Sequence, residues 1–387
     1  MSRAPFKVAI VGISGYGRIH LQLAREAVEQ GLMNLVAAVV INRAEVSEEA
    51  EMLERNGTRL HATFEEMVSR EAGRIDLCLI PTGIAWHARM TIAALRAGMN
   101  VLVEKPLASS LAEVDAIAAE SVRSGRFVAV GFQDIYNPLV QQAKERLLDG
   151  AIGRLQSVRF LGLWPRPTSY FTRNGWAGRM AVDGVPVLDS PLNNAFAHFV
   201  NLALFFAGDA FDESAKVEDI RAGLWRTNAI EMFDTGVVTA RTADGVALWF
   251  GASHACMQTH EPEIHLQGDR GGMIWRHENE CIWELDGGSN ERVVLPSAAE
   301  ARRLMMLAVM DCLAGGSTFL CVPRMARRHT ELITRVHELT PIQSLPGVAL
   351  PMAANGNAAT VLAVTGLEAA MFDAFANRSI PQLLRVN

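Results

Sequence analysis

The chain is 387 residues long, half of it hydrophobic and a fifth charged, with a formal net charge of −6. That length suits two domains better than one core, and the acidic balance argues against a nucleic-acid surface, which needs a basic patch to release counterions. The five cysteines (Cys78, Cys256, Cys281, Cys312, Cys321) are odd in number, widely spaced and never form a Cys-x-x-Cys pair. Free thiols in a reducing cytoplasm are therefore expected, not a disulfide or zinc framework.

Residues 1–6 lead straight into a strand-like run with no apolar leader region behind them. Up to residue 131, short β-branched runs at 7–11, 35–41, 75–80, 100–103 and 127–130 read as strands. Their apolar character is continuous, as expected when helices cover both sheet faces. Helical stretches at 18–29, 87–97 and 111–123 fall between most of them. The last opens with Ser110-Leu-Ala-Glu113, a capping box, and Gly98 closes the one before it. The alternation predicts an α/β fold whose N-terminal part, 1–131, is a doubly wound parallel Rossmann sheet.

Beyond Gly131 the pattern changes. Asn137-Pro138 opens a helix that ends near Gly150, and longer alternating strands follow at 155–163, 236–243, 246–253, 263–267 and 281–285. The expectation for 132–387 is an α+β domain with a large, mostly antiparallel sheet. The most apolar helix candidate, 195–207, carries His198 and Asn201 and is shorter than the ~20 residues of a membrane span. Helices are also expected at 298–314, 325–337 and 358–376, with Pro341, Pro346 and Pro351 marking a loop before the last. One sheet face is expected to serve the active site and the other, apolar and otherwise sticky, to drive self-association into a homodimer or homotetramer.

Two motifs carry chemistry. The first strand ends in Gly12-Ile-Ser14-Gly15-Tyr16-Gly17, a strand-to-helix turn that lets a backbone approach a pyrophosphate at a helix N-terminus. Gly12 and Gly17 fit the first and third places of G-x-G-x-x-G, and Ser14 stands at the second. The second predicted strand ends in Asn42-Arg43, where an NAD site ordinarily shows an acid for the ribose hydroxyls. A neutral residue followed by arginine suits the 2′-phosphate of NADP, and the alternative is that Arg43 is a solvated loop charge. The second motif, Glu104-Lys105-Pro106, ends another strand, and ligands bind outside the carboxyl ends of strands in such sheets. A lysine in a partly dry site can act as acid or base toward a substrate hydroxyl.

With these residues in place the chain resembles the glucose–fructose oxidoreductase/inositol dehydrogenase/MocA family. The resemblance rests on 12–20, on Pro81-Thr82 with His87, on 97–107, on Val130-Gly131-Phe132-Gln133, on Asn137-Pro138 and on 150–153. It covers the first 210 residues well and the rest in general pattern. It implies hydride transfer between nicotinamide and a secondary alcohol or ketone of a sugar, polyol or inositol-like molecule. It places Thr82, His87, Glu104 and Lys105 beside the cofactor, makes Lys105 the acid/base, and implies a cis Lys105–Pro106 bond.

The family's second catalytic segment, D-x-G-x-H-x-x-D, corresponds here to Asn194-Ala-Phe-Ala-His198-Phe-Val-Asn201. Helical spacing puts Asn194, His198 and Asn201 along one face. An amide orients a hydroxyl but takes no proton, so acid–base work falls on Lys105 and His198. His198 taken alone reads as a core histidine, and the resemblance turns it toward substrate. Asp189 reads as a helix N-cap or as a carboxylate that compensates. Tyr136, Arg173, Trp176 and Arg179 are expected to line the substrate pocket, since aromatic faces and guanidinium forks suit sugars and carboxylates. His254 reads equally as a sheet residue, and His260, His265 and His277 lack metal-ligand spacing. Within the family, a glycoside-cleaving enzyme with retained NAD is a rival reading. Outside it, the rival is a non-catalytic dinucleotide sensor.

Overall fold

The computed structural model describes residues 4–288, 290–354 and 357–383. In chain order the first elements are β1 (Phe6–Val11), α1 (Gly17–Glu29), β2 (Met33–Val39), α2 (Ser47–Arg55), β3 (Arg59–His61), α3 (Phe64–Glu71), β4 (Leu77–Ile80), α4 (Ile84–Arg96), β5 (Asn100–Val103), α5 (Leu111–Ser124) and β6 (Val128–Val130). The six strands form one sheet in the order β3-β2-β1-β4-β5-β6, every pair parallel. This is the doubly wound order whose switch point lies beside β1. Strands β4 and β5 are buried along their whole length, which explains their unbroken apolar sequence. Residues 42–74, in which no element was expected, hold α2, β3 and α3. Their helices are short and acidic, and β3 has three residues, too few to show a period.

The chain continues through α6 (Pro138–Leu148), β7 (Leu155–Leu163), a small hairpin β8 (Ala181–Val182) and β9 (Val185–Pro186), α7 (Ala197–Phe206), and β10 (Val217–Arg226). Then come β11 (Thr235–Thr242), β12 (Ala247–Ser253), β13 (His260–Gly268), β14 (Gly271–Arg276), β15 (Glu280–Leu285) and β16 (Asn290–Val294). Helices α8 (Ala298–Leu313) and α9 (Pro323–Leu339), strands β17 (Ile342–Ser344), β18 (Val348–Ala354) and β19 (Asn357–Ala363), and α10 (Leu367–Asn377) complete it. A nine-stranded sheet runs β16-β15-β14-β13-β7-β12-β11-β10-β17. It is antiparallel except at β7–β12 and β10–β17. The chain divides into two compact units, residues 1–137 with 299–327 and residues 138–298 with 328–387.

The last expected helix is shorter than its apolar sequence suggested. Residues 357–363 pair with β18 as a strand, and helix begins only after Gly366, whose φ of 79° suits glycine. The run of prolines before it is likewise not a simple loop, because β17 adds to the large sheet and β18 forms the hairpin.

Alternation along β7 decides what each face of the large sheet meets. Phe160 stacks with Phe199 and lies tilted against Phe196, so this face packs against α7. Leu161 and Leu163 point the other way, into a core with Trp225, Val237, Trp249, Leu367, Met371 and Phe375. The expectation of an apolar face left open for self-association is therefore corrected over the centre of the sheet. There the chain's own α10 covers it, and Trp249 Nε1 and Arg159 Nη1 donate to the Ser379 and Phe375 carbonyls at its end. Burying that surface internally takes it out of any self-association.

Candidate functional site

The dinucleotide end of the site is built by the turn between β1 and α1. Gly12 and Gly15 have φ values of 86° and 54°, which side chains rarely adopt. Gly17 is needed for a different reason, since a Cβ there would lie 2.5 Å from the Gly12 carbonyl oxygen. Ser14, Gly15 and Tyr16 are exposed at the tip, and Tyr16 precedes α1 without a capping side-chain hydrogen bond. The helix thus presents its positive end at a tight, open turn, an arrangement that fits a pyrophosphate. At the end of β2, Asn42 and Arg43 are both exposed. Arg43 is engaged: Nη1 donates to Glu54 Oε1 at 3.0 Å and Nη2 to Oε2 at 2.5 Å. Glu54 was not foreseen; no element was expected there, and the helix-favouring composition of Ser47-Glu-Glu-Ala-Glu-Met-Leu-Glu54 is the signal that could have found it.

The ends of β4 and β5 are held by two buried histidines. His20, on α1, places Nε2 2.9 Å from Glu104 Oε1, with no exposure on the imidazole. Glu104 Oε2 accepts the Lys105 backbone N–H at 3.1 Å. Burial alone would raise the Glu104 carboxyl; the His20 hydrogen bond and the neighbouring Lys105 ammonium outweigh it and hold the group below its ordinary range. Gly131 leaves room for this carboxylate, because a Cβ there would lie 2.7 Å from Oε1. His87 sits between two carbonyls, Pro106 at 2.7 Å from Nδ1 and Thr82 at 3.0 Å from Nε2. Burial lowers its pKa against the pull of both carbonyls, and a neutral ring has one N–H to give. With that proton on Nδ1, facing the closer carbonyl, His87 ties α4 to the Lys105–Pro106 turn, whose peptide bond is cis. Lys105 is half-buried at that turn.

Tyr136 is almost wholly buried and its hydroxyl donates to the Val130 carbonyl at 2.8 Å. The phenol is committed to the backbone at the end of β6.

In the second unit, α7 begins at Ala197, so Asn194 lies in the preceding turn and the expected single face of Asn194, His198 and Asn201 is not formed. His198 is half-buried, while Asn201 has no exposure and neither amide atom has a hydrogen-bond partner among the described residues. Asp189 does not cap the helix. Its carboxylate accepts from Gly178 N at 2.6 Å and Asn194 Nδ2 at 2.7 Å and lies 3.8 Å from Arg173 Nη2. It thereby fastens the segment before α7 to the aromatic- and arginine-rich one at 164–179. There the Arg173 guanidinium lies 3.7 Å from the Tyr170 ring and 5.0 Å from that of Trp176, and Arg166 lies 5.0 Å from Tyr170. Arg179 turns to Glu231 at 3.1 Å. His254 is buried beneath Tyr170 and Phe196, with Nδ1 2.9 Å from the Trp164 carbonyl. Burial first, and Arg166 second, push its pKa down to about 3, so it is neutral. Trp164, Arg166, Glu261, His277 and Glu278 line a pocket of about 480 Å³ within this unit.

Comparison with known proteins agrees with this architecture. Residues 6–132 match the model of an oxidoreductase family with an NAD-binding Rossmann fold, and residues 140–274 match the Gfo/Idh/MocA C-terminal domain. The chain belongs to the Gfo/Idh/MocA family. It is an NAD(P)-dependent oxidoreductase. Among its relatives is the myo-inositol 2-dehydrogenase of Thermotoga maritima, 21% identical over 74% of this chain and 80% of that one. The myo-inositol dehydrogenase Hyg17 of Streptomyces leeuwenhoekii is 28% identical over 43% of this chain and half of its own length. An inositol dehydrogenase homologue from Azotobacter vinelandii, solved with NAD+, shares the fold with a TM-score of 0.73 at 17% identity, covering 87% of this chain and 96% of that one. No described helix is long and apolar enough to cross a membrane.

Proposed function

We propose that this oxidoreductase interconverts a secondary alcohol and its ketone on a sugar, polyol or inositol-like substrate, with Lys105 as acid/base and His198 sharing or relaying the proton. The observation that carries this reading is the way the Lys105 backbone is held. Glu104 fixes its N–H and His87 the following carbonyl, at the end of a strand in the sheet that carries the Gly12–Gly17 turn. So much buried polar structure around one half-buried lysine is the arrangement expected for a positioned proton donor. When bound, the nicotinamide cofactor supplies or takes up the hydride. The α1 N-terminus and its glycine turn bind the pyrophosphate, and Asn42 and Arg43 flank the ribose. Arg43 offers NADP a cation for its 2′-phosphate, provided that Glu54 releases it. On the substrate side Asn194, Arg173 and Trp176 orient hydroxyls or a carboxylate, with Asp189 holding the first two in place. The reading includes a cytoplasmic homo-oligomer, tested by light scattering at micromolar concentration.

Lys105→Met keeps the apolar stem and removes the donor. Turnover on a cognate member of a panel of sugars, inositols and sugar acids should fall by ~10²–10⁴, with NADH affinity close to that of the unaltered protein. His198→Asn should lose less, since an amide still holds substrate. Full turnover by Lys105→Met would remove lysine from this role. If both changes alter only ligand affinity, neither residue carries the proton.

A further inference from the structure

The end of β2 lacks the acid that reads ribose hydroxyls, yet carboxylates surround it from another element. Between residues 42 and 55 the sequence places Glu45, Glu48, Glu49, Glu51 and Glu54 against only Arg43 and Arg55. Helix α2 spends two of these acids on the two arginines nearest the dinucleotide turn. Glu54 takes both Nη atoms of Arg43, at 3.0 and 2.5 Å, and Glu49 Oε1 lies 3.3 Å from Nη2 of Arg18, the residue after Gly17. A bidentate carboxylate occupies the same pair of N–H donors that a phosphate would take from a guanidinium fork. A 2′-phosphate arriving here must therefore evict Glu54 from the fork, whereas a 2′-hydroxyl need not.

We propose that Glu54 is a specificity-determining residue for the dinucleotide, its carboxylate competing with the 2′-phosphate of NADP for the Arg43 fork while leaving NAD binding untouched. This rests on the reading that Arg43 flanks the adenosine ribose. Preference is then set by a helix that the usual inspection of the β2 end does not reach. Because the pair is solvent-exposed on both sides, the competition is modest and weakens with salt.

The test titrates purified protein with NADPH and NADH, following nicotinamide fluorescence at low and high salt, so that no substrate is required. Glu54→Gln should tighten NADPH by about 3- to 5-fold at low salt and leave NADH within about twofold, the gain shrinking at high salt. Arg43→Ala should weaken NADPH selectively, and adding Glu54→Gln to it should bring no further gain, as competition for one fork requires. If Glu54→Gln leaves NADPH unchanged while Arg43→Ala still weakens it, Glu54 is no competitor, although Arg43 keeps its role. Equal tightening of both nucleotides, or a gain that persists without Arg43, makes the effect a general charge term and overturns the proposal. If Arg43→Ala does not weaken NADPH, the ribose reading fails and the inference with it.

Discussion

The Nε2 of His20 and the Oε1 of Glu104 meet at 2.9 Å although 84 residues separate them, and neither side chain has appreciable access to solvent. This contact joins the helix that follows the dinucleotide turn to the strand end that carries Lys105. The glycine motif and the lysine motif are thereby parts of one hydrogen-bonded structure.

The first prediction follows from the sign of the Glu104 shift. Its folded pKa lies below the ordinary value of 4.5, so the contribution to stability is complete above that value and is lost as pH falls through the folded one. Glu104→Ala leaves the buried His20 ring and the Lys105 N–H without an acceptor. It should cost about 1.5–3 kcal/mol at neutral pH, the worth of a hydrogen bond to a charged group. Denaturant melts at pH 7 and pH 4 check this. The gap between the unaltered protein and the variant should narrow at the lower pH, and an equal gap at both would contradict the assignment.

The second concerns the turn itself. Gly17→Ala brings a methyl to 2.5 Å from a backbone oxygen that no rotamer change can move, so the turn must widen. We expect a stability loss of ~1–3 kcal/mol and a loss of NADH affinity of at least tenfold in the fluorescence titration. An alanine variant that melts and binds as before would mean that the close approach is relaxed at no cost.

A third prediction uses the second unit. Lys144, on α6, is fully buried, and its Nζ donates to the Phe205 carbonyl at 2.8 Å and also to that of Gly208, at the end of α7. A cation at a helix C-terminus is favourable, but burial lowers its pKa to about 8 from 10.5, Asp209 and Glu213 acting in opposition. Between those two values the unfolded chain binds more protons than the folded one, so stability rises with pH there by at most ~1.4 kcal/mol per unit. Melts from pH 8 to 10.5 should show the unaltered protein gaining on Lys144→Met across that window. A constant difference would show that the lysine keeps the same pKa in the folded and unfolded chain.

Much of this was legible along the chain because local rules carry it. Continuous apolar strands, capping signals and a glycine turn describe a parallel sheet without any long-range information. Residues 42–74 were not legible in this way, since three-residue strands and short acidic helices have no period of their own. The stretch 357–363 misled for a related reason. It is apolar enough for helix or strand, and only its pairing with β18 decides.

At the level of the site, sequence alone determined which chemistry was present: glycines for a phosphate, a lysine at a strand end, a histidine and an amide in a later helix. Residue type and short spacing suffice for that. Tertiary structure decided what each group is free to do. It committed Tyr136 to the Val130 carbonyl, turned Asn201 into the interior, put Asp189 between Gly178 and Asn194, and handed Arg43 to Glu54. Those assignments depend on which donors and acceptors meet across tens of residues, and burial then makes each meeting costly to leave unmade.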